Sequence, residues 1–293
     1  MSVLPAELCP YCLGPLAGTV EKAVCTGCRL YADESRRLWL GLEDTFPTGF
    51  DHEAVARLDD LGEQNHFWIR ERRRLISRLL RCLQSAVGGG WAAALELGCG
   101  AGLTLALLEA RAKRVVAMDG HRSLLQRALA ASRQTTLLQG DVTHTGLRSS
   151  GFDLITAFDV LEHVDADAFL SEARRLAADG AKLLISVPAF PSLWSEMDVR
   201  AGHRCRYRWP QLKAELARNG WQPMGHTHFQ FLLFPLVYAS RRLAKKSPRV
   251  LERNPPPGVD RLLGMVNYLE VAMLNGVSLP FGSSLFAWAC LDR

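Results

Sequence analysis

Four acidic residues and one glycine-rich turn carry the first chemical signal in this chain. Leu95-Glu96-Leu97-Gly98-Cys99-Gly100-Ala101-Gly102 leads from an apolar run into a helical pattern. Glycines at such a turn let the backbone pass close to a ligand, and the helix that follows presents free N–H groups to it. A nicotinamide-binding domain or a plain tight turn shows a similar loop, so the loop alone is a weak signal. Acids then recur at the ends of successive apolar runs: Glu96, Asp119, Asp141 and Asp159. Asp119 follows the loop by about 20 residues, the offset from which a carboxylate accepts from both hydroxyls of a ribose. Asp141, preceded by Gly140, is placed to receive an adenine amino group. Any one of these acids alone is compatible with a helix cap. Four at successive strand ends point instead to a shared crevice, because the carboxyl ends of parallel strands converge there.

Two further groups have reactive side chains. Cys9, Cys12, Cys25 and Cys28 form C-x2-C-x12-C-x2-C. Each pair makes a knuckle that aims two thiolates at one point, and two knuckles complete a tetrahedron for zinc. So short a segment cannot bury a core, so the metal supplies its folding energy. Four thiolates close the site to water, which makes the zinc structural. Glu162 and His163 follow the fourth strand, at the mouth of the expected crevice. His203 lies further on, in a segment where Trp194, Asp198, Arg204, Arg206 and Tyr207 are the candidate substrate contacts. His163, His203 and Glu162 are the candidate proton acceptors. The alternatives are that His163 packs locally and that the His203 segment is a solvated basic loop. Arg204 and Arg206 are suited to an anionic acceptor.

The elements that must position these residues can be read from periodicity. Gln64 to Val87 is helical, with Phe67, Leu75, Ile76, Leu79, Leu80 and Leu83 at three- and four-residue steps and most arginines elsewhere; Gly88-Gly89-Gly90 stops it. Strands are expected at Ala92 to Leu97, Arg114 to Met118, Thr135 to Gln139, Phe152 to Phe158 and Ala181 to Val187. Helices at Leu103 to Ala110, Arg122 to Ser132 and Ala166 to Ala178 separate them, and Asp179-Gly180 turns into the fifth strand. Such alternation means βαβ units and a parallel sheet with helices on both faces. Trp209-Pro210 opens a helix to Arg218, and strands follow at Trp221 to His228 and Ser284 to Leu291. The organisation expected is a zinc ribbon over 1–33, a linker over 34–63, and an α/β, Rossmann-like domain over 64–293. Within it, 229–280 forms a helical lid inserted before the last strand.

Bulk properties fit this division. The chain has 293 residues, 48% of them hydrophobic, and a net charge of +5 that permits an anionic partner without demanding one. Four of the eight cysteines form the two tight pairs and the rest are scattered, which suits a reducing compartment with one metal site. No secretory leader is visible and no apolar run reaches the roughly 20 residues a spanning helix needs. The expected location is cytoplasmic. Phe229 to Ala239, with Arg241, Arg242, Lys245 and Lys246 beyond it, reads either as a lid helix or as a peripheral membrane contact.

Over residues 64–228 the chain resembles class I S-adenosylmethionine-dependent methyltransferases. Glu-Leu-Gly-Cys-Gly-Ala-Gly is similar to their first motif, and Phe152-Asp-Leu-Ile-Thr-Ala-Phe-Asp-Val-Leu-Glu-His-Val164 to their fourth. The resemblance implies S-adenosylmethionine as cofactor. It implies that Glu96, Gly98, Gly100 and Gly102 hold its methionine and ribose portions, that Asp119 binds the ribose, that Asp141 and Val142 bracket the adenine, and that Asp159 lies near the methionine. His66-Phe67-Trp68, with Pro188 to Ser195 and Gly202 to Tyr207, is similar to a bacterial, methyltransferase type 11-like group that shares no single substrate. Cys205 stands where that group suggests arginine. A Glu-x-x-Glu-His segment in ubiquinone-pathway and small-RNA O-methyltransferases binds a divalent ion, and Asp159, Glu162 and His163 are similar to it with a shorter first acid. A zinc-binding N-terminus before a methyltransferase is also similar to the bacterial 23S rRNA guanine methyltransferases, although the later motifs differ. There is no Asn-Pro-Pro-Tyr at the fourth strand, which argues against amino-group methylation of adenine or glutamine. No cysteine follows that strand, which argues against cytosine C5 methylation.

The expected activity is therefore methyl transfer to a small-molecule acceptor, on oxygen. RNA docked by the ribbon and a non-catalytic cofactor-binding scaffold are the alternatives. The ribbon makes its own prediction. Purified protein should carry zinc that survives dialysis, measured by atomic emission, and Cys9→Ser should lose that zinc. A wild-type protein without tightly held zinc would exclude the four-thiolate reading.

Overall fold

The computed structural model describes residues 9, 15–19, 22–26, 30–32, 37–41, 66–243, 255–274 and 278–292. An antiparallel meander comes first: β1 (Leu16–Thr19), β2 (Lys22–Cys25), β3 (Leu30–Ala32) and β4 (Leu38–Gly41). The alternating part follows as α1 (Phe67–Val87), β5 (Trp91–Leu97), α2 (Leu105–Glu109), β6 (Ala112–Asp119), α3 (Arg122–Ala131), β7 (Thr136–Gln139), β8 (Phe152–Phe158), α4 (Ala166–Leu176) and β9 (Ala177–Pro188). Then come α5 (Glu196–Arg200), α6 (Trp209–Arg218), β10 (Gln222–Phe229), α7 (Phe234–Leu243), α8 (Pro257–Met273) and β11 (Ser284–Cys290).

These strands form one sheet in the order β1-β2-β3-β4-β7-β6-β5-β8-β9-β11-β10. Strands β4, β7, β6, β5, β8 and β9 run parallel, and β11 lies antiparallel between β9 and β10. Both faces are covered, so side-chain direction alternates between two apolar layers. Leu95, Leu97, Ile155, Leu183 and Ile185 pack against Phe169 and Leu170 of α4 and Leu212 and Leu216 of α6. Ala94, Leu154 and Leu184 face the other way, toward Leu75, Ile76, Leu80 and Leu83 of α1. This is the α/β, Rossmann-like architecture expected of the sequence.

Helix α1 shows why the sequence folds locally as it does. The His66 imidazole accepts from the Trp68 amide at its start, and Gly88 closes it in the left-handed region at φ +71°. Its first residue is Phe67, and Gln64 and Asn65 of the expected helix lie outside the described residues. Arg72, however, is buried on the apolar face. It stands three and four residues before Leu75 and Ile76, so it shares their phase.

Three sequence expectations need correction. The stretch read as a linker contains β4, which pairs in parallel with β7 through Leu38↔Leu137 and Trp39↔Leu138. All four of its residues are buried, so no alternation shows, and three apolar residues are too few to reveal a period. Gly41 N donates to Gln139 Oε1, and Arg37 binds the Ser132 and Thr135 carbonyls, which pins the strand in register. Secondly, α4 ends at Leu176 and β9 begins directly at Ala177. Gly180, at φ +71°, is a kink within that strand, not a turn before it. Thirdly, α8 of the inserted region packs against α1, yet Leu262, Met265, Leu269 and Met273 remain exposed along it. Of the four ribbon cysteines, Cys9 and Cys25 are buried in the same apolar cluster as Leu30 and Trp39. Cys12 and Cys28 lie outside the described residues. No helix among those described is long and apolar enough to cross a membrane.

Gly102 offers a test of the packing at the turn. Its φ is +82°, and a Cβ there would stand 3.0 Å from both the Ala128 Cα of α3 and the Leu105 Cδ1 of α2. Gly146 has a similar φ of +69° and open space around it. Gly146→Ala should cost about 1–2 kcal/mol of backbone strain alone. Gly102→Ala should cost about 1–3 kcal/mol more, because the helix must also shift. Thermal or urea unfolding of both variants checks the difference, and equal losses would refute the close helix contact.

Candidate active site

A crevice of about 310 Å³ opens at the carboxyl ends of β5, β6, β7 and β8. Glu96, Asp119, Asp141 and Asp159 all line it, as do Gly98, Gly100 and Val142. Gly102 does not. It faces α3 and serves the packing described above, which corrects its assignment to the ligand.

The turn is built from backbone hydrogen bonds. The amides of Gly98 and Cys99 both donate to the Met118 carbonyl, at 2.8 and 3.0 Å. A Cβ on Gly98 would meet Val160 Cγ2 at 2.4 Å, so only glycine fits. At Gly100 a Cβ would meet nothing within 4 Å, and the vacant space belongs to the crevice. Gly100 N donates to Asp119 Oδ2 at 2.8 Å, and His121 N donates to Asp119 Oδ1 at 2.9 Å. Each Asp119 oxygen keeps a second lone pair for a ligand hydroxyl. Burial pushes the Asp119 pKa up, against the pull of those two amides.

Glu96 is more deeply buried. Its Oε1 accepts from the Thr104 hydroxyl, and its Oε2 has no hydrogen-bond partner among the described residues. Burial raises its pKa to about 8; the Thr104 bond opposes the rise and the nearby charge of Asp119 adds to it. Asp141 Oδ1 accepts from the amide and hydroxyl of Thr143, so part of this carboxylate caps its own loop. Asp159 sits at φ +56°, a left-handed conformation that aspartate tolerates. Its carboxylate pairs with Arg72 at 2.6 Å. Arg72 also donates to Ser186 Oγ and lies over the rings of Trp68 and Phe286. Arg72, Thr104 and His121 are site residues that sequence reasoning missed. Arg72's place in the phase of Leu75 and Ile76 is the signal that marks it.

A second cluster stands at the edge of the crevice. Glu162, His163 and His203 each place a ligand atom within 4.8 Å of the others. His163 lines the crevice, whereas Glu162 and His203 are absent from its lining. The His163 and His203 rings meet edge to face with centroids 4.8 Å apart. His163 has its pKa lowered to about 4, first by burial and then by His203. Glu162 is raised well above the usual carboxylate range by burial and by the charge of Asp159. The expected ion site at Asp159, Glu162 and His163 is therefore corrected: Asp159 is held by Arg72, and His203 takes its place beside the other two.

Asp198 holds this second cluster in place. It is buried and accepts from the Ser195 amide and hydroxyl, from His203 Nδ1, from Arg206 and from Arg241 of α7. Burial would raise its pKa, but His203, Arg206 and Arg241 keep it well below the usual range. Asp198 and Arg206 were expected to contact substrate. Arg206 is buried and spends its guanidinium on Asp198 and the Ala189 carbonyl. Tyr207 is a core residue bridged to Ala189. Trp194 and Arg204 are exposed, and none of the five lines the crevice. No described residue of 229–280 lines it either. The insertion lies one layer out, against α1, because α1 itself supplies that wall through Trp68, Ile69, Arg72, Arg73 and Ile76.

Comparison with known proteins agrees with this geometry. Residues 95–185, which hold the glycine turn and the Asp159–Val164 segment, match a family model described as a methyltransferase domain. A provisionally named S-adenosylmethionine-dependent methyltransferase of Mycobacterium tuberculosis is 26% identical over 133 residues, covering 45% of this chain and 46% of the relative. An uncharacterized methyltransferase of Mycobacterium bovis is 32% identical over 114 residues, covering 38% of this chain and 58% of its own. The chain thus spans about half the length of the curated relatives it matches. Among solved structures, a proposed sarcosine dimethylglycine methyltransferase of Galdieria sulphuraria superposes with a TM-score of 0.52 at 14% identity. It covers 74% of this chain and 85% of its own. A chain of the complex between the Haloferax volcanii Trm112 methyltransferase activator and a proposed methyltransferase gives 0.51 at 15% identity, covering 70% and 84%. The fold is that of class I methyltransferases.

Glu96 generates a prediction about any cationic ligand of the crevice. Below about pH 8 the free protein holds a proton on Glu96. A positive charge beside it favours the carboxylate, so binding at pH 7 should release about one proton. Affinity should therefore rise with pH up to about 8 and level off above it. Calorimetric titration in buffers of different ionisation enthalpy measures the release, and Glu96→Gln should abolish it. Identical heats in all buffers for the wild type would contradict the protonated state.

Proposed function

We propose that this protein transfers the methyl group of S-adenosylmethionine to a small-molecule acceptor, on an oxygen. One observation carries the reading. The crevice is lined by a protonatable acid with a bare oxygen, Glu96, beside a glycine turn that leaves room for a ligand and a carboxylate, Asp119, with lone pairs to spare. These residues fit the group: Asp119 would hold the ribose hydroxyls, Asp141 and Val142 the adenine, and Glu96 the cationic methionine end. The bound cofactor supplies a sulfonium methyl with an excellent leaving group. What remains for the chain is alignment and exclusion of water. The wall formed by α1 does the second, through Trp68, Ile69 and Ile76.

An oxygen acceptor must also lose its proton. The cluster of Glu162, His163 and His203 stands at the crevice edge, and this supports an acceptor that needs activation. The spacing of Cys9, Cys12, Cys25 and Cys28 supports the structural zinc ribbon as part of the same proposal.

Calorimetry with S-adenosylmethionine and its demethylated product should show one site. Asp119→Asn should weaken binding by about tenfold to a hundredfold, the range for losing a charged hydrogen-bond acceptor. Labelled cofactor with a panel of hydroxylated and phenolic acceptors then reads transfer. Absence of cofactor binding would end the proposal. Binding without transfer or cofactor hydrolysis would favour a scaffold, and RNA binding that falls steeply with salt would favour an RNA acceptor.

A further inference from the structure

Three features of the cluster beside the crevice remain unexplained by acid–base chemistry alone. The Glu162 carboxylate is buried, and neither of its oxygens has a hydrogen-bond partner among the described residues. A buried carboxyl group in that condition must take up a proton or meet a cation. His203 Nε2 lies 4.0 Å from Glu162 Oε1, too far for a hydrogen bond. His203 is moreover already oriented from behind, because its Nδ1 is 2.9 Å from Asp198 Oδ1. Asp198 is surrounded by the guanidinium groups of Arg206 and Arg241 and by the Ser195 amide, so it acts as an acceptor. Its partner nitrogen therefore carries the proton, and Nε2 presents a lone pair toward Glu162 and His163. A lone pair facing a bare carboxylate is repulsive with nothing between them. With a metal ion between them it is the arrangement in which a carboxylate fixes the tautomer of a ligating histidine.

We propose that Glu162, His163 and His203 form a mononuclear site for a divalent transition-metal ion, with Asp198 as the carboxylate that orients His203. Two imidazoles and one carboxylate bind such ions and leave coordination positions open. Ligand atoms around one ion stand roughly 3–3.4 Å apart, given bonds of about 2.1 Å. Those of this cluster lie within 4.8 Å, so side-chain rotation must draw them in on binding. His163 lines the crevice, which gives the ion a route in and gives its open positions access to an oxygen ligand from the crevice. Among the described residues this is the one group of histidine, cysteine and carboxylate side chains that converges in this way. If the methyl-transfer reading holds, the ion and not a free histidine base would lower the acceptor's pKa. The metal site itself does not depend on that reading.

Manganese tests the site without interference from the cysteines, since a hard cation avoids a four-thiolate site. Full-length protein, treated with chelator and desalted, is titrated with manganese chloride while the electron paramagnetic resonance of free aqueous manganese is followed. One saturable site is expected. His203→Gln and His163→Gln should each weaken it by more than tenfold, and Asp198→Asn by about tenfold to a hundredfold, the range for loss of an orienting partner. Glu162→Gln should abolish it. Because Glu162 and Asp198 are buried, circular dichroism and thermal melting accompany every variant, and the more exposed His203 gives the decisive comparison if the others fail to fold. A wild-type protein that binds no manganese, or a folded His203→Gln variant that binds it equally well, overturns the proposal. Calorimetry with S-adenosylmethionine on the same samples reads the crevice separately, so metal binding and cofactor binding can fail independently.

Discussion

Carboxylates taken out of water govern this structure. A buried carboxylate must find donors, find a cation or accept a proton. The parallel sheet brings four acids to one edge, where three of these outcomes can be seen. Asp119 takes two backbone amides, Asp159 takes Arg72, and Glu96 holds a proton at neutral pH. Most of the local architecture supplies those partners. The glycine turn frees the Gly100 amide, the first turn of the loop delivers Thr104, and α1 carries an arginine inward among leucines.

The same constraint separates the two halves of the site. Among the four acids that line the crevice, only Glu96 has a buried oxygen without a hydrogen-bond partner among the described residues. In the neighbouring cluster the mismatch is larger, since neither oxygen of the Glu162 carboxylate has a hydrogen-bond partner among the described residues, while Asp198 nearby gathers four partner residues. Through Arg241, Asp198 also ties α7 of the insertion to the segment that carries His203. A helix outside the crevice lining is thereby coupled to the geometry of its edge.

Much of this was legible in the residue order. Strands β5, β6 and β8 end in an acid within an apolar run, and the end of β7 is followed by Gly140-Asp141, so period and punctuation placed all four acids correctly. Gly98 was equally readable, because positive φ and the close approach of Val160 leave no substitute, and Gly100 by its place in the same turn. Gly102 was not, since a glycine facing a ligand and a glycine facing a helix look alike until α3 is in place. Strand β4 escaped notice because burial on both faces erases alternation. Arg206 and Tyr207 looked like substrate contacts because their chemistry suits that role, and only burial shows that each is spent inside the protein.

What the sequence determined by itself is the set of local geometries: the glycine turn, the alternation of strand and helix, and the spacing that brings acids to strand ends. These follow from backbone sterics and side-chain period, which act over a few residues. Tertiary structure alone decided which charged groups meet. Arg72 with Asp159 and Asp198 with Arg241 are joined across 87 and 43 positions. Charge pairing at such separations is set by which faces pack together, and no local rule of sequence encodes it.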